Sequence, residues 1–329
     1  MVTAYAYRSF ECEFDKSTSG GAFTKIISSF YDLGQGVVYG VVLDNNMKIR
    51  HLRALDPDDC SAFRGSKYVR SSLNNVFELI SNDLLSSSRV LFTGTPCQVD
   101  ALYKYLAKKN IPTNELFTID LICNGAPSPK VWQDFVQWLE SKVTKKMVDF
   151  KFRSKDDKNN PYLATAIFDD SSTMSDTPLT ACYNRLFLKK LTIPQSCFKC
   201  KFKSEIRVSD ITLGDFWGCN NIFSEPALKN GVSLVLVNSI KGKELFCTTS
   251  QRREIIRQCE NKDYLKYQDN LKGISIIPKE YDSFWEDYRA NGFGYVANKY
   301  ADSDFPRSIK FYLRRIYRNV KAKFNVLNN

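Results

Sequence analysis

Cys197 and Cys200 stand two residues apart in IPQSCFKCKFKSEIRVSDITLGDFWG, residues 193–218. Two intervening residues let both sulfurs point the same way, as when one ion or cluster is gripped from a single loop. Two thiolates are half a site. Lys199, Lys201 and Lys203 surround the pair, and nearby cations lower a thiol's pKa and offset the charge of a thiolate-ligated centre. The spacing suits zinc, an iron–sulfur cluster or a redox dithiol, and it leaves open a plain pair of buried, reduced cysteines.

Two more cysteines are set by the elements before and after them. In RVLFTGTPCQVDALYKYLAKKN, Val90 to Thr93 predict a buried strand, Gly94-Thr95-Pro96 a tight turn, and Cys97 onward a helix with Val99, Leu102, Tyr103 and Leu106 on one face. Cys97 then lies near a helix N-terminus at the carboxyl end of a strand, where α/β proteins place ligands and a thiolate is stabilised. The pattern repeats: Leu116 to Ile122 predict a strand, Cys123-Asn124-Gly125 a turn, and Ser128-Pro129 the start of a helix. If these strands are parallel neighbours, both sulfurs lie along one sheet edge and Cys197 and Cys200 complete four ligands.

Other stretches offer polar groups with less specificity. Ser-Thr-Ser-Gly-Gly at 17–21, ahead of AFTKIISSFYDLG, predicts a helix start in which Ser19, Gly20 and Gly21 either meet a phosphate or simply cap the helix. Arg64, Gly65, Ser66, Lys67 and Tyr68 combine two cations, a hydroxyl, a close-approach glycine and a ring, a kit for a nucleotide diphosphate or an ordinary basic loop. VVYGVVLD and MKIRHLRA around Asn45-Asn46 predict a hairpin that serves as scaffold. Further strands are expected in VDFKFRS, YLATAIFDD, DITLGDFW and VSLVLVNS, with helices over 182–191 and 241–259.

Composition limits the function. Ten cysteines in 329 residues, with no secretory signal and no apolar run able to span a bilayer, predict a cytoplasmic chain whose clustered thiols serve metal or redox chemistry. One histidine, His51, supplies little for Cys/His zinc chemistry or His-based catalysis. Of the net charge of +11, seven basic residues and no acidic ones fall after Asp304, leaving +4 for the rest. Nucleic-acid binding is therefore not expected, because the excess is terminal. Apolar residues at 309, 312, 313, 316, 320 and 324 make that segment a basic amphipathic helix, suited to an anionic inner membrane face, an acidic partner or its own domain.

The ordered series SGGAF, FRGSKYV, VLFTGTPCQ, DLICNGAPSPKVW, FKFRSK, SCFKCKFK and SDITLGDFWG, spanning about Ser17 to Gly218, resembles the beta-subunit family of coenzyme F420 hydrogenase/dehydrogenase. The resemblance implies a mixed α/β sheet with flanking helices, one large domain over 1–300 and a basic helical tail over 301–329. It implies FAD and one [4Fe–4S] cluster, with hydride exchange at the flavin coupled to single-electron transfer. Carried onto this chain, Cys97, Cys123, Cys197 and Cys200 hold the cluster. Ser19, Gly20, Gly21, Arg64, Gly65, Ser66, Lys67, Tyr68, Thr93, Gly94, Thr95, Asn124 and Gly125 meet FAD. Relatives commonly begin with a ferredoxin-like module of repeated Cys-x-x-Cys runs, where this chain has only Cys12. A separate ferredoxin-like carrier is then the expected partner, beside a small-molecule hydride donor or acceptor. Asn124 stands where relatives often have His, Cys219 is a candidate substitute ligand, and Asp215 and Lys67 are the candidates for acid–base work. The contrasting expectation is a non-catalytic structural zinc protein with the same four thiolates, acting as a binding or scaffold module, with surface-polysaccharide biosynthesis as one setting.

Overall fold

Five consecutive residues, Val90–Gly94, are buried along their whole length and form strand β4. A strand buried on both faces needs a layer on each side. The structure, a computed structural model, describes residues 2–9, 16–154, 163–225, 228, 231–247, 254–273 and 275–302. Cys12 and most of the basic tail lie outside the described residues, as does the amphipathic helix expected there.

Strand β4 is one of eight in the main sheet, whose order is β11-β1-β10-β9-β5-β4-β2-β3. The other members are β1 (Thr3–Ser9), β2 (Val37–Leu43), β3 (Ile49–Ala54), β5 (Leu116–Leu121), β9 (Ile211–Asp215), β10 (Ser233–Val237) and β11 (Glu254–Gln258). The central strands β2, β4, β5 and β9 are parallel, while β3 and the three strands on the opposite flank pair antiparallel. Period-2 alternation divides the core between the two faces. Leu91, Phe117 and Ile211 pack with Ile26 and Phe30 of α1 (Ala22–Asp32) and Leu245 of α6 (Ile240–Cys247). Val90, Phe92 and Leu116 pack with Ile80 of α2 (Val76–Leu85) and with Val99 and Leu102 of α3 (Pro96–Lys108). Each fully buried Leu, Ile or Phe contributes about 1.5–3 kcal/mol. The parallel part of the sheet is therefore clamped between two helical layers.

A smaller antiparallel sheet of β6 (Met147–Lys151), β7 (Thr165–Phe168) and β8 (Thr173–Ser175) packs with α4 (Pro129–Val143), α5 (Pro178–Leu188) and α7 (Tyr281–Ala301). Trp132, Phe135 and Tyr183 lie fully buried among them. The mixed α/β architecture expected from the sequence is the one observed. No helix among the described residues is long and apolar enough to cross a membrane.

Three local features differ from the sequence expectation. The helix expected over 241–259 ends at Cys247, and Glu254–Gln258 pairs with β1 instead. An open sheet edge satisfies the backbone of a segment whose β-branched Ile255 and Ile256 suit a helix poorly. The N-terminal AYAY segment is an interior strand because Ala4 and Ala6 face one core while Tyr5 and Tyr7 face another. Helix α7 has no expected counterpart, since a non-helical Gly292 at φ 76° interrupts its periodicity.

Gly20 shows how closely the chain passes the sheet. A Cβ there would lie 2.2 Å from Tyr7 O and 2.5 Å from Ser233 N, and its own N–H donates to Ser233 Oγ at 2.9 Å. Gly65 differs: its φ is +82°, but a Cβ would meet nothing within 4 Å. Gly20→Ala is expected to lose about 3 kcal/mol or more in denaturant unfolding, through overpacking against backbone that cannot yield. Gly65→Ala is expected to lose only about 1–2 kcal/mol, the cost of a side chain in the left-handed region.

Candidate functional site

The registers Val90↔Leu116 and Ile119↔Ile211 bring the carboxyl ends of β4, β5 and β9 out at one edge. Loops leaving that edge of a parallel sheet are where α/β proteins place ligands. A cleft of about 670 Å³ runs along it, bounded by the start of α1, the 64–71 loop, the turns after β4 and β5, the Cys197 and Cys200 loop and the end of β9.

Four thiols open onto this cleft. Cys97 is the second residue of α3, whose first turn is tied by Gln98 Oε1, the acceptor for the Thr95 N–H at 3.0 Å and the Thr95 hydroxyl at 3.1 Å. The Thr95 hydroxyl also lies 3.1 Å from Cys97 Sγ. Cys123 follows β5, and the Gly125 N–H donates to its sulfur at 3.3 Å. Gly125 has φ +120°, and a Cβ there would come within 2.8 Å of Ile193, so this turn needs glycine for the 193–200 segment to seat on it. Cys197 belongs to the helical turn Gln195–Phe198, and Cys200 follows in the same loop. Burial pushes the Cys123 thiol up to about 12, and Cys97, Cys197 and Cys200 push it the same way electrostatically. The four sulfurs thus share one neighbourhood, although among the described residues no three His, Cys, Asp or Glu side chains converge tightly enough to hold a single metal ion.

Arg207 fixes the position of that loop. It donates from Nη1 to Phe202 O at 2.5 Å and from Nη2 to Leu121 O at 2.8 Å, joining the cysteine loop to the end of β5. Its Nη2 stands 3.0 Å from Asp120 Oδ1, and its Nε donates to Asp120 Oδ2 at 3.2 Å. The two side chains are 1% and 0% exposed. Burial pushes the Asp120 carboxyl above the usual carboxylate range, opposed chiefly by Arg207. On the outer side Lys201 reaches Asp100 of α3 at 3.4 Å.

In the same cleft the Ser17 to Thr24 segment faces the 64–68 loop, with Thr18 Oγ1 3.4 Å from Ser66 Oγ. Gly21, at φ 89°, opens α1, and the Ser19 hydroxyl donates to Val232 O at 3.2 Å. Lys67 Nζ donates to Ala62 O at 3.1 Å and Arg64 O at 2.6 Å, and burial pushes its pKa down to about 7. Its ammonium holds the loop's own carbonyls. Tyr68 stacks on Phe187 at 4.6 Å, so one ring face is already covered. The Thr93 hydroxyl donates to Tyr39 O at 3.1 Å.

Lining the cleft are Ser19, Gly21, Arg64, Gly65, Ser66, Lys67, Tyr68, Thr93, Gly94, Thr95 and Gly125, with the four cysteines. Gly20 and Asn124 are not part of the lining, and Gly20 is spent on packing against β1 and β10. Cys219 is buried in the apolar cluster of Phe216 and Leu234, outside the cleft, with its thiol pushed up to about 11 by burial. His51 is a core residue: burial lowers it to about 4, its Nε2 donates to Thr93 O at 2.9 Å, and its ring stacks on Phe92. Asp215 does line the cleft, but its carboxylate accepts from Arg153 Nη1 at 2.6 Å, which occupies it as a counter-ion.

Arg153, Arg207 and Asp120 had no local sequence signal as a set. The trace that could have exposed Asp120 is a lone carboxylate within the apolar strand LFTIDL, since a buried charge requires a partner.

Comparisons with known proteins bear on this geometry. Residues 87–266 match a family model described as the C terminus of the beta subunit in coenzyme F420 hydrogenase/dehydrogenase. The SGGAF and FRGSKYV motifs precede that span. Thirteen chains of solved structures match. One of them, from the F420-reducing [NiFe] hydrogenase complex of Methanosarcina barkeri studied by xenon derivatization, is 17% identical with a TM-score of 0.55, the alignment covering 88% of this chain and 93% of that one. At this identity the likeness is one of fold. No curated protein sequence matches the chain.

Arg207→Met is expected to cost about 3–5 kcal/mol at neutral pH, because Asp120 is left buried without its cation. The sign of its pH dependence follows from burial. Without Arg207 the folded chain holds Asp120 protonated over a range where the unfolded chain has lost that proton, so stability falls as pH rises through the range. The deficit should shrink toward pH about 4 and grow above it, read from urea unfolding at a series of pH values.

Proposed function

The chain belongs to the coenzyme F420 hydrogenase/dehydrogenase beta-subunit family, and on that premise we propose that it is a flavin-dependent iron–sulfur oxidoreductase. It passes electrons between a hydride carrier, coenzyme F420 or another donor, and a one-electron partner, through FAD and one [4Fe–4S] cluster. The observation that carries this reading is that four thiols from three separate loops open onto the same cleft as a glycine-opened helix start and a basic loop.

The residues fit both groups. The cleft, at about 670 Å³, lies within the range of cofactor sites. The donor set is all thiol. A single tetrahedral ion needs four donors at about 2.3 Å from one point, whereas a four-iron cluster gives each thiolate its own iron and so suits sulfurs that share a neighbourhood without meeting.

FAD, when bound, supplies exchange of a hydride on one side and of single electrons on the other. The protein's part is to bind and orient. Cys97, Cys123, Cys197 and Cys200 hold the cluster, with Arg207 setting the distance of the Cys197 and Cys200 loop from Cys123. Gly21 and Ser19, at the start of the eleven-residue helix α1, offer backbone N–H groups and a positive dipole end to phosphate. Arg64 adds charge, Gly65 leaves the backbone open to close approach, and Ser66 adds a hydroxyl. Gly94, Thr95 and Gly125 line the same cleft. The Asp215 and Arg153 pair places a neutralised charge beside them, and Lys67 keeps the loop's shape. Gly20 and Asn124 have no part in this assignment.

Lys199 and Lys201 are exposed beside the cluster loop, which suits an acidic ferredoxin-like carrier as the one-electron partner. Reduced thiols are maintained in the cytoplasm, where we place the protein.

Anaerobically purified protein should show a flavin band over a broad brown shoulder, with about four iron per chain. Cys197→Ser should lose most of that iron while retaining the fold by circular dichroism. A colourless protein with one zinc per chain and no flavin would replace this reading with a structural metal scaffold.

A further inference from the structure

Three lysines surround the Cys-x-x-Cys, and the fold treats one of them differently. Lys199 and Lys201 are exposed, and Lys201 is engaged by Asp100. Lys203 is 3% exposed and lines the cleft. Its ammonium donates to Ser275 Oγ, which also accepts from Lys190 Nζ at 3.3 Å, so two cations share one neutral hydroxyl. Ser275 is itself fixed to the cysteine loop, its N–H donating to Phe198 O at 3.1 Å. Burial pushes the Lys203 pKa down and Lys190 pushes it the same way, while Cys123, Cys200 and Cys197 oppose that fall. Buried cations are paired in folded proteins, and the sulfurs that line the same cleft supply a partner for this one once they are held as thiolates.

We propose that Lys203 is the built-in counter-charge of the thiolate-ligated centre, a buried ammonium that favours loading of the cluster and raises its reduction potential. This rests on the iron–sulfur reading given above. Four thiolates around an iron–sulfur core carry net negative charge, and reduction adds one more unit. A fixed cation in a low-dielectric site stabilises the reduced form more than the oxidised one. Lys199 and Lys201, bathed in water and salt, exert far less of this effect. Lys203 is therefore a positioning and tuning residue, with no contact to the hydride carrier required.

The unaltered chain, K203M, K203R and K201M are purified anaerobically, assayed for iron and sulfide, and titrated spectroelectrochemically. K203M should have a lower midpoint potential than the unaltered chain by at least a tenfold shift in the reduction equilibrium, about 59 mV for one electron. K203R and K201M should stay within about threefold. A K203M centre that titrates with the unaltered one overturns the proposal. If K203M fails to fold or to retain iron while K203R retains it, the charge is what loading requires and the proposal stands. If K203R fails together with K203M, the side chain acts by packing and the proposal is overturned. An unaltered chain without iron overturns the cluster reading itself, before any variant is compared.

Discussion

The buried pair of Arg207 and Asp120 is the constraint on which the site's geometry depends. Asp120 lies in β5 opposite Thr212 of β9, deep in the parallel part of the sheet. Arg207 comes from the loop that carries the Cys-x-x-Cys. One guanidinium joins a carboxylate, a strand-end carbonyl and a loop carbonyl, and its planar fork can do so with little freedom left. A buried ion pair is weak evidence for net stability, because desolvation offsets much of the attraction. Its value here is register. It sets where the strandless excursion from Gln195 to Val208 lands against the turn that bears Cys123.

The glycines divide by what they do. A side chain at Gly20 would collide with two strands, and Gly125 admits Ile193 beneath the cysteine turn. Both serve packing, and that packing brings α1 and the cysteine loop to the same cleft. Gly21 and Gly65, like Gly125, adopt positive φ, but Gly65 has open space where a side chain would be. The cleft therefore brings together open backbone, charge and sulfur, as the proposed pair of cofactors requires.

Charge is sorted by burial in the same region. The cations of Arg153 and Arg207 are matched by Asp215 and Asp120. Lys67 is spent on carbonyls of its own loop. Lys203 alone among the three lysines near the Cys-x-x-Cys is withdrawn from solvent, and the negative charge that balances it in the proposal is brought by thiolates.

Sequence by itself determined the strand–turn–helix units around Cys97 and Cys123, the hairpin of β2 and β3, and the helix start at Gly21. Each is a local matter of apolar period, proline at the first helical turn and glycine at positive φ, so neighbours in the chain suffice to specify it. It also specified the family, because the ordered motifs survive as short runs. Tertiary structure alone decided which glycine packs and which lies open, that Gly20 and Asn124 stay out of the cleft, and that Asp215 is occupied by Arg153. It alone separated Lys203 from Lys199 and Lys201, and it turned 254–258 into a strand by offering β1 as a partner. The physical reason is common to all of these. Burial, ion pairing and sheet pairing depend on residues far away along the chain, and no local pattern carries that information.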